Sequence, residues 1–232
     1  MTDSIGYARE DAGQPPSLVA AYGSTVARSP RQKLVRIPQT LTETTGPAAW
    51  EALMGPAMAD LTKQHAGEPS GQRIIVAGRV LDEDHRPVPN TVIEIWQANA
   101  AGRYIHRKDQ WDAPLDPNFT GAGRVVSDAQ GRYRYTTVRP GAYPWKNHHN
   151  AWRPGHIHLS LLGPAFATRL VTQMYFPDDP LILIDPIAAA VPEPYRRRLV
   201  SRFDLGVTQP NWALGYVFDI VLRGRDATPT GV

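Results

Sequence analysis

The hydrophobic period changes along the chain, and the changes divide it. Residues 1–39 are polar and Pro-interrupted with isolated apolar positions, the pattern of an extended arm that needs another surface to pack on. Thr45-Gly46-Pro47 then opens a helical pattern: Trp50, Leu53, Met54, Ala57 and Leu61 recur three to four residues apart, and Pro56 splits them into one or two short helices. At Arg73 the period falls to two. RIIVAGRVLD and TVIEIWQ, joined by the turn DEDHRPVPN, predict a β-hairpin over residues 73–97. Further strand-like runs follow at RVVSDAQGRYRYTTV, GHIHLSLLG, RLVTQMYF and ALGYVFDIVLRG, each closed by Gly, Pro, Asp or Asn, while residues 192–203 read as a short helix with an Arg-rich outer face. Short strands at this spacing, without helices between them, predict a mainly β protein: a mixed-topology β-sandwich with an extended N-terminal arm, short helices and long loops. Residues 1–72 then form the arm and its helices, and residues 73–232 the sandwich that carries the chemistry. The segment from Ala98 to Gly123, with Tyr104, Trp111 and Phe119 among Asp, Asn, Gly and Pro, is the long loop where function is expected.

Composition narrows the classes. With 19 Gly and 22 Pro in 232 residues, a helix bundle is disfavoured. The net charge of +3 comes from basic residues that are scattered apart from Arg196-Arg197-Arg198, too little for a nucleic-acid groove. Cysteine is absent, which removes disulfides, thiolate metal sites and thiol nucleophiles together, so any metal must sit on nitrogen and oxygen ligands. MTDSIGYAREDAG has no apolar signal core and nowhere do 18 apolar residues run together, so a cytoplasmic protein without a membrane span is expected.

The sharpest local signal is RPGHIHLS. In a strand, His156 and His158 share a face, about 7 Å apart at Cα, and can converge on one metal; equally they can be a hydrogen-bonded strand pair. Without Cys, the remaining ligands would be carboxylate, pointing to Fe(II) or Zn, phenolate, pointing to the harder Fe(III), or water. Asp178 and Asp179 follow Phe176 in a turn and read as turn-formers. Tyr104 in NAAGRYIH and Tyr143 in RPGAYPW stand in irregular, Gly-marked places where the backbone aims a side chain.

WQANAAGRY, DPNFTGAGR, VRPGAYPW and WRPGHIH, in that order, resemble the intradiol ring-cleavage dioxygenases, and within them the iron-binding β chains of the protocatechuate-cleaving branch. The likeness runs from AAYGSTVARSP through GRVLDEDHRPVPNTVIEIWQ to FDIVLRG, nearly the whole chain. It implies one non-haem Fe(III) per chain held by Tyr104, Tyr143, His156 and His158, with Tyr143 and His158 axial and Tyr143 also acting as base. It further implies that Arg153 lies beside the bound catechol, that Gln173 supports it, and that Tyr22, Trp96, Trp145 and Ile187 form pocket walls. The implied reaction joins a small aromatic diol and O2: protocatechuate gives 3-carboxy-cis,cis-muconate in the β-ketoadipate route of aromatic catabolism. Only 72 residues precede the first strand, which fits the branch that pairs with an α chain rather than the catechol- or hydroxyquinol-cleaving homodimers with a long helical N-terminal domain.

Rival readings are a catechol or hydroxyquinol 1,2-dioxygenase, a non-catalytic transthyretin-like binding module suggested by SDAQGRYRY, and Fe(II) chemistry on the two histidines with an acid. Two departures from the family pattern stand out. His85 occupies a turn position where Gly is usual and calls for a different turn; Ala142 replaces a Pro and loosens Tyr143. His148 and His149 read as a solvated loop pair, and His106 is placed only as a neighbour of Tyr104.

Overall fold

The computed structural model describes residues 11–33, 35, 58–146, 149, 152–163, 169–177 and 179–231. The expected helix through Trp50, Leu53, Met54 and Ala57 lies outside these, as does His148; Leu61, the last apolar position of that pattern, sits in a short 3-10 turn, Leu61–Lys63, capped by Asp60.

Two sheets face each other. The first is built on β1 (Arg73–Leu81), which pairs antiparallel with β4 (Arg132–Val138) on one side. On its other side it pairs parallel with β10 (Leu214–Val217) and then β11 (Ile220–Val221), while β9 (Arg202–Phe203) closes the edge against β10. This is the mixed topology expected. The second sheet is antiparallel throughout, in the order β3 (Ala122–Val126), β2 (Val92–Gln97), β7 (His156–Leu162), β8 (Leu170–Tyr175).

The expected hairpin over 73–97 does not form, because β1 and β2 belong to different sheets. After Val88 returns one backbone bond to Val80, the chain crosses from one layer to the other. His85 within that turn has φ of 60°, the left-handed conformation that Gly adopts freely. The turn therefore keeps the geometry of a glycine turn instead of changing it, at a cost of about 1–2 kcal/mol.

Alternation then sorts each strand's side chains. On β7, Ile157, Leu159 and Leu161 point inward and are fully buried against Ile74, Val76, Tyr133, Tyr135 and Tyr216 of the other sheet. Each such aliphatic side chain contributes about 1.5–3 kcal/mol by leaving water. His156 and His158 fall on the opposite, outer face. Register adds to that face: Trp96 lies beside His158, which lies beside Gln173, and His156 lies beside Tyr175.

Loops and short helices cover this outer face. A two-stranded ladder of β5 (Tyr143–Pro144) and β6 (Trp152–Arg153) sets Tyr143 opposite Arg153. Below it, α2 (Pro186–Ala190) and α3 (Glu193–Arg196) enclose a second apolar cluster of Tyr175, Ile182, Ala188, Val191 and Leu199. The Arg-rich segment is not simply an outer face, since Arg196 donates to the carbonyls of Ala188 and Val191. Nor is the arm wholly extended: it contains α1 (Gly23–Arg28), whose Thr25 hydroxyl donates to the Val19 and Tyr22 carbonyls. No helix among the described residues is long and apolar enough to cross a membrane.

Candidate metal centre

Four side chains from three segments meet on the outer face of the second sheet. His156 and His158 arrive from β7, Tyr143 from β5, and Tyr104 from the long loop after β2. Tyr104 is aimed by its backbone, for Asp109 Oδ2 accepts from its N–H at 2.8 Å and Asn99 Oδ1 accepts from Arg103 N and Ala101 N. The loop can come this close because Gly102 has φ of 80°, and a Cβ there would lie 2.1 Å from the Ala142 carbonyl oxygen. Gly141 is equally constrained, 2.4 Å from Ala100 O by the same measure. The Gly residues of NAAGRY and RPGAYPW thus allow the two tyrosine segments to touch. Ala142, where looser seating of Tyr143 is expected, has its carbonyl packed directly on Gly102.

The Tyr104 and Tyr143 rings meet edge to face with centroids 5.3 Å apart, and Tyr104 lies 6.4 Å from the His158 ring. His156 Nε2 is 3.2 Å from His158 Nε2 and 3.3 Å from Tyr143 Oη. Ligand atoms about 2.0–2.2 Å from one first-row ion and about 100° apart lie about 3.2 Å from each other, so this spacing suits a shared metal. His156 Nδ1 is 2.8 Å from the Pro154 carbonyl, which can only accept, so Nδ1 carries the proton and Nε2 presents a lone pair.

Electrostatics agree with that assignment. Burial, then the Arg153 charge, holds the His156 pKa well below that of a free imidazole. Burial, then His156 and Arg153, does the same for His158. Both rings are neutral and available as ligands. Burial, then the neighbouring Tyr143, pushes the Tyr104 phenol well above its ordinary value. Its hydroxyl is sealed from solvent and makes no hydrogen bond of ordinary length and angle among the described residues, although Tyr143 and the Ala98 backbone stand near it. A buried polar atom left alone costs about 1–3 kcal/mol, and a cation held at this point would satisfy it. No three His, Asp or Glu side chains gather elsewhere among the described residues to offer a metal an alternative.

Around the four candidate donors, the other expected residues take definite places. Arg153 is buried and spreads its guanidinium over the site's floor: Nη1 approaches His156 Nε2 to 3.0 Å, whose lone pair a metal would take over, and donates to Tyr143 Oη at 3.3 Å, and Nη2 donates to Gln173 Oε1 at 2.6 Å. Trp96 stacks on His158 with centroids 4.8 Å apart and planes 2° from parallel. Trp145 lies over Arg153 and against Tyr22, with ring centroids 5.2 Å apart in the latter pair. Tyr22 and Ile187 line one small cavity of about 10 Å³ with Val19 and Ala190. Asp179 caps the turn after β8 by accepting from Leu181 N, as a turn-former should. His149 is exposed; His106 is exposed as well, and its Nδ1 accepts from Lys108 N.

Two residues that sequence reasoning missed complete the floor. Asp185 is fully buried and pairs with Arg153 through both oxygens, Nε to Oδ1 and Nη2 to Oδ2, each at 2.9 Å. Tyr175 Oη donates to Asp185 Oδ2 at 2.8 Å. Burial disfavours charge on Arg153, but Tyr175 and Asp185 outweigh it and keep the guanidinium firmly protonated. Removing one partner of such a pair costs about 3–5 kcal/mol because the other stays buried and unpaired. Asp185 had a local signal, an acid before Pro inside the aliphatic run LILIDPIAAA, which reads as a helix cap.

Comparison with known proteins places the chain in a family. Residues 44–224 match a family model described as dioxygenase, and residues 7–40 match the protocatechuate 3,4-dioxygenase beta subunit N-terminal model. The chain is 59% identical over 210 residues to the protocatechuate 3,4-dioxygenase beta chain of Burkholderia cepacia, covering 90% of this chain and 89% of that one. It is 30% identical over 161 residues to the alpha chain from the same organism, covering 68% of this chain and 76% of that one. The crystal structure of 3-chlorocatechol 1,2-dioxygenase from Rhodococcus opacus 1CP superposes with a TM-score of 0.52 at 25% identity, over 66% of this chain and 60% of that one. On its sequence and its fold alike, the chain belongs to the dioxygenase family of intradiol ring-cleaving enzymes.

Proposed function

We propose that this chain holds one ferric ion on Tyr104, Tyr143, His156 and His158. With O2 it cleaves protocatechuate between the hydroxylated carbons to 3-carboxy-cis,cis-muconate, in company with a related α chain. The observation that carries this is the convergence of two neutral imidazoles and two phenols, one with an orphaned buried hydroxyl, on a single point. Ferric iron, when bound, supplies the Lewis acidity that holds phenols as phenolates near neutral pH and activates a chelated diol.

The chain's own residues do the rest. The imidazoles offer lone pairs, and the Pro154 carbonyl holds His156 in the required tautomer. Tyr143 Oη accepts a proton from the incoming diol, and Arg153 Nη1, which donates to that oxygen, steadies its negative charge in between. As the ring opens, the same fixed cation stabilises charge that builds on the substrate oxygens. Trp96 keeps His158 in plane by stacking on it. Tyr22, Trp145 and Ile187 wall the substrate, with Tyr22 toward its carboxylate end. Residues 1–72 provide the surface on which the α chain packs, while residues 73–232 carry the reaction. Both atoms of O2 enter the acyclic product, so no external reductant is consumed.

Support for the αβ form comes from the match of residues 7–40 to a beta subunit N-terminal model. The test is to co-express the chain with an α chain, add protocatechuate under isotopically labelled O2, and identify the product by mass. Two labelled oxygens in a muconate are expected. A semialdehyde from cleavage beside the diol, or turnover of catechol with none of protocatechuate, would overturn the reading.

A further inference from the structure

We propose that Asp185 is a positioning residue for ring opening: it takes one edge of the Arg153 guanidinium so that Nη1 alone is directed into the reaction site. The inference rests on the function proposed above and deepens it.

A guanidinium is planar and rigid, so fixing two of its nitrogens places the third. Asp185 fixes Nε and Nη2 with one carboxylate oxygen each. Nη1 is thereby left 3.0 Å from His156 Nε2 and 3.3 Å from Tyr143 Oη. Asp185 is itself held. Tyr175 Oη donates to its Oδ2, and that oxygen also accepts from Ala188 N at the start of α2, where Asp185 is the helix cap. The order of control runs from the cap of α2, through the carboxylate, to the guanidinium and so to the oxygen of Tyr143. The carboxylate also balances a buried cation within reach of two of the four donors. Without it Arg153 would carry uncompensated charge on the site's floor.

Asp185→Asn discriminates this role from a merely structural one. Asn has the same shape and, with its amide oxygen at the Oδ2 position, still caps α2. Whichever way its amide is turned, one Arg153 N–H meets an NH2 group instead of an acceptor, so the guanidinium must swing. For the αβ complex we expect kcat per bound iron to fall about 10–100-fold, the size seen when an outer-shell partner is lost, with KM within about threefold of wild type. Iron content stays at one per chain. A crystal structure of the variant should show Nη1 more than about 4 Å from Tyr143 Oη, beyond hydrogen-bond reach.

An unchanged kcat per iron, an unmoved Nη1, or a rise in KM alone would overturn the proposal. Should Asp185→Asn not fold, Tyr175→Phe with its crystal structure decides, because the lost hydroxyl donates to Asp185 Oδ2 and also accepts from Arg153 Nη2: a fall in kcat with Asp185 and Nη1 displaced together supports the proposal, and a fall with Asp185 in place, or an unchanged kcat, overturns it. Failure of the underlying reading looks different, because the wild-type complex itself would then lack ferric iron or leave protocatechuate uncleaved.

Discussion

Among the described residues, two tyrosines have buried hydroxyls that make no hydrogen bond of ordinary geometry, Tyr104 and Tyr135, and their surroundings give those hydroxyls opposite meanings. Tyr135 points from β4 into the apolar core between the sheets, beside the Tyr133 ring, where its oxygen has no hydrogen-bond partner. Its neighbour Tyr133 reaches the Phe218 carbonyl at 2.6 Å; Tyr135 reaches nothing. Tyr104 instead faces Tyr143 and His158, one of which brings a hydroxyl and the other a ring nitrogen. An unpaired polar atom among carbons is a stability cost that the core tolerates. The same atom beside a second phenol and an imidazole, with no hydrogen bond of ordinary geometry to either, is one that the proposed cation would satisfy.

The comparison can be broken most forcefully at His158. His158→Ala should strip iron from the protein altogether, measured as metal per chain, because a ligand is removed while the core face of β7 is untouched; full iron content would remove His158 from the site. Next comes the tyrosine pair itself. Tyr104→Phe should weaken iron binding at least about tenfold, whereas Tyr135→Phe should leave it unchanged; equal effects would erase the distinction. Gly102→Ala should destabilise the chain by about 2–3 kcal/mol in a denaturation series, since a Cβ at φ of 80° collides with the Ala142 carbonyl. Wild-type stability there would mean that the two tyrosine loops do not meet as described.

The smallest effect runs the other way. Tyr135→Phe should stabilise the protein by about 1 kcal/mol, because it deletes a buried hydroxyl that has no partner. It also has a pH signature. Burial raises the Tyr135 pKa far above the ordinary phenol value, so its contribution to stability is complete below the unfolded value of about 10 and is lost as pH rises beyond it. Unfolding curves for the wild type should therefore fall more steeply above that pH than those of the Phe variant. Parallel curves would show that Tyr135 is hydrated.

The sandwich was legible because strand periodicity is local: GHIHLSLLG puts Ile157, Leu159 and Leu161 on one face and the histidines on the other without reference to anything distant. The pairing of β1 was not. RIIVAGRVLD and TVIEIWQ are both good strands around a good turn, and only the parallel partners near residues 214–221 pull β1 into the other sheet. The four proposed donors were singled out through ordered motifs, not through any single spacing. Asp185 stayed hidden because its cap role is written beside it, while its pairing with Arg153 spans 32 residues and exists only in three dimensions.

The measurement that bears most directly on the centre is the visible absorption of the iron-loaded αβ complex, recorded before and after anaerobic protocatechuate and repeated for Tyr104→Phe. A phenolate-to-iron charge-transfer band that shifts on adding the diol and weakens in the variant is the expected result. A complex that binds iron yet stays colourless, or a band that Tyr104→Phe leaves unaltered, would contradict the assignment of Tyr104, Tyr143, His156 and His158 as the metal's holders.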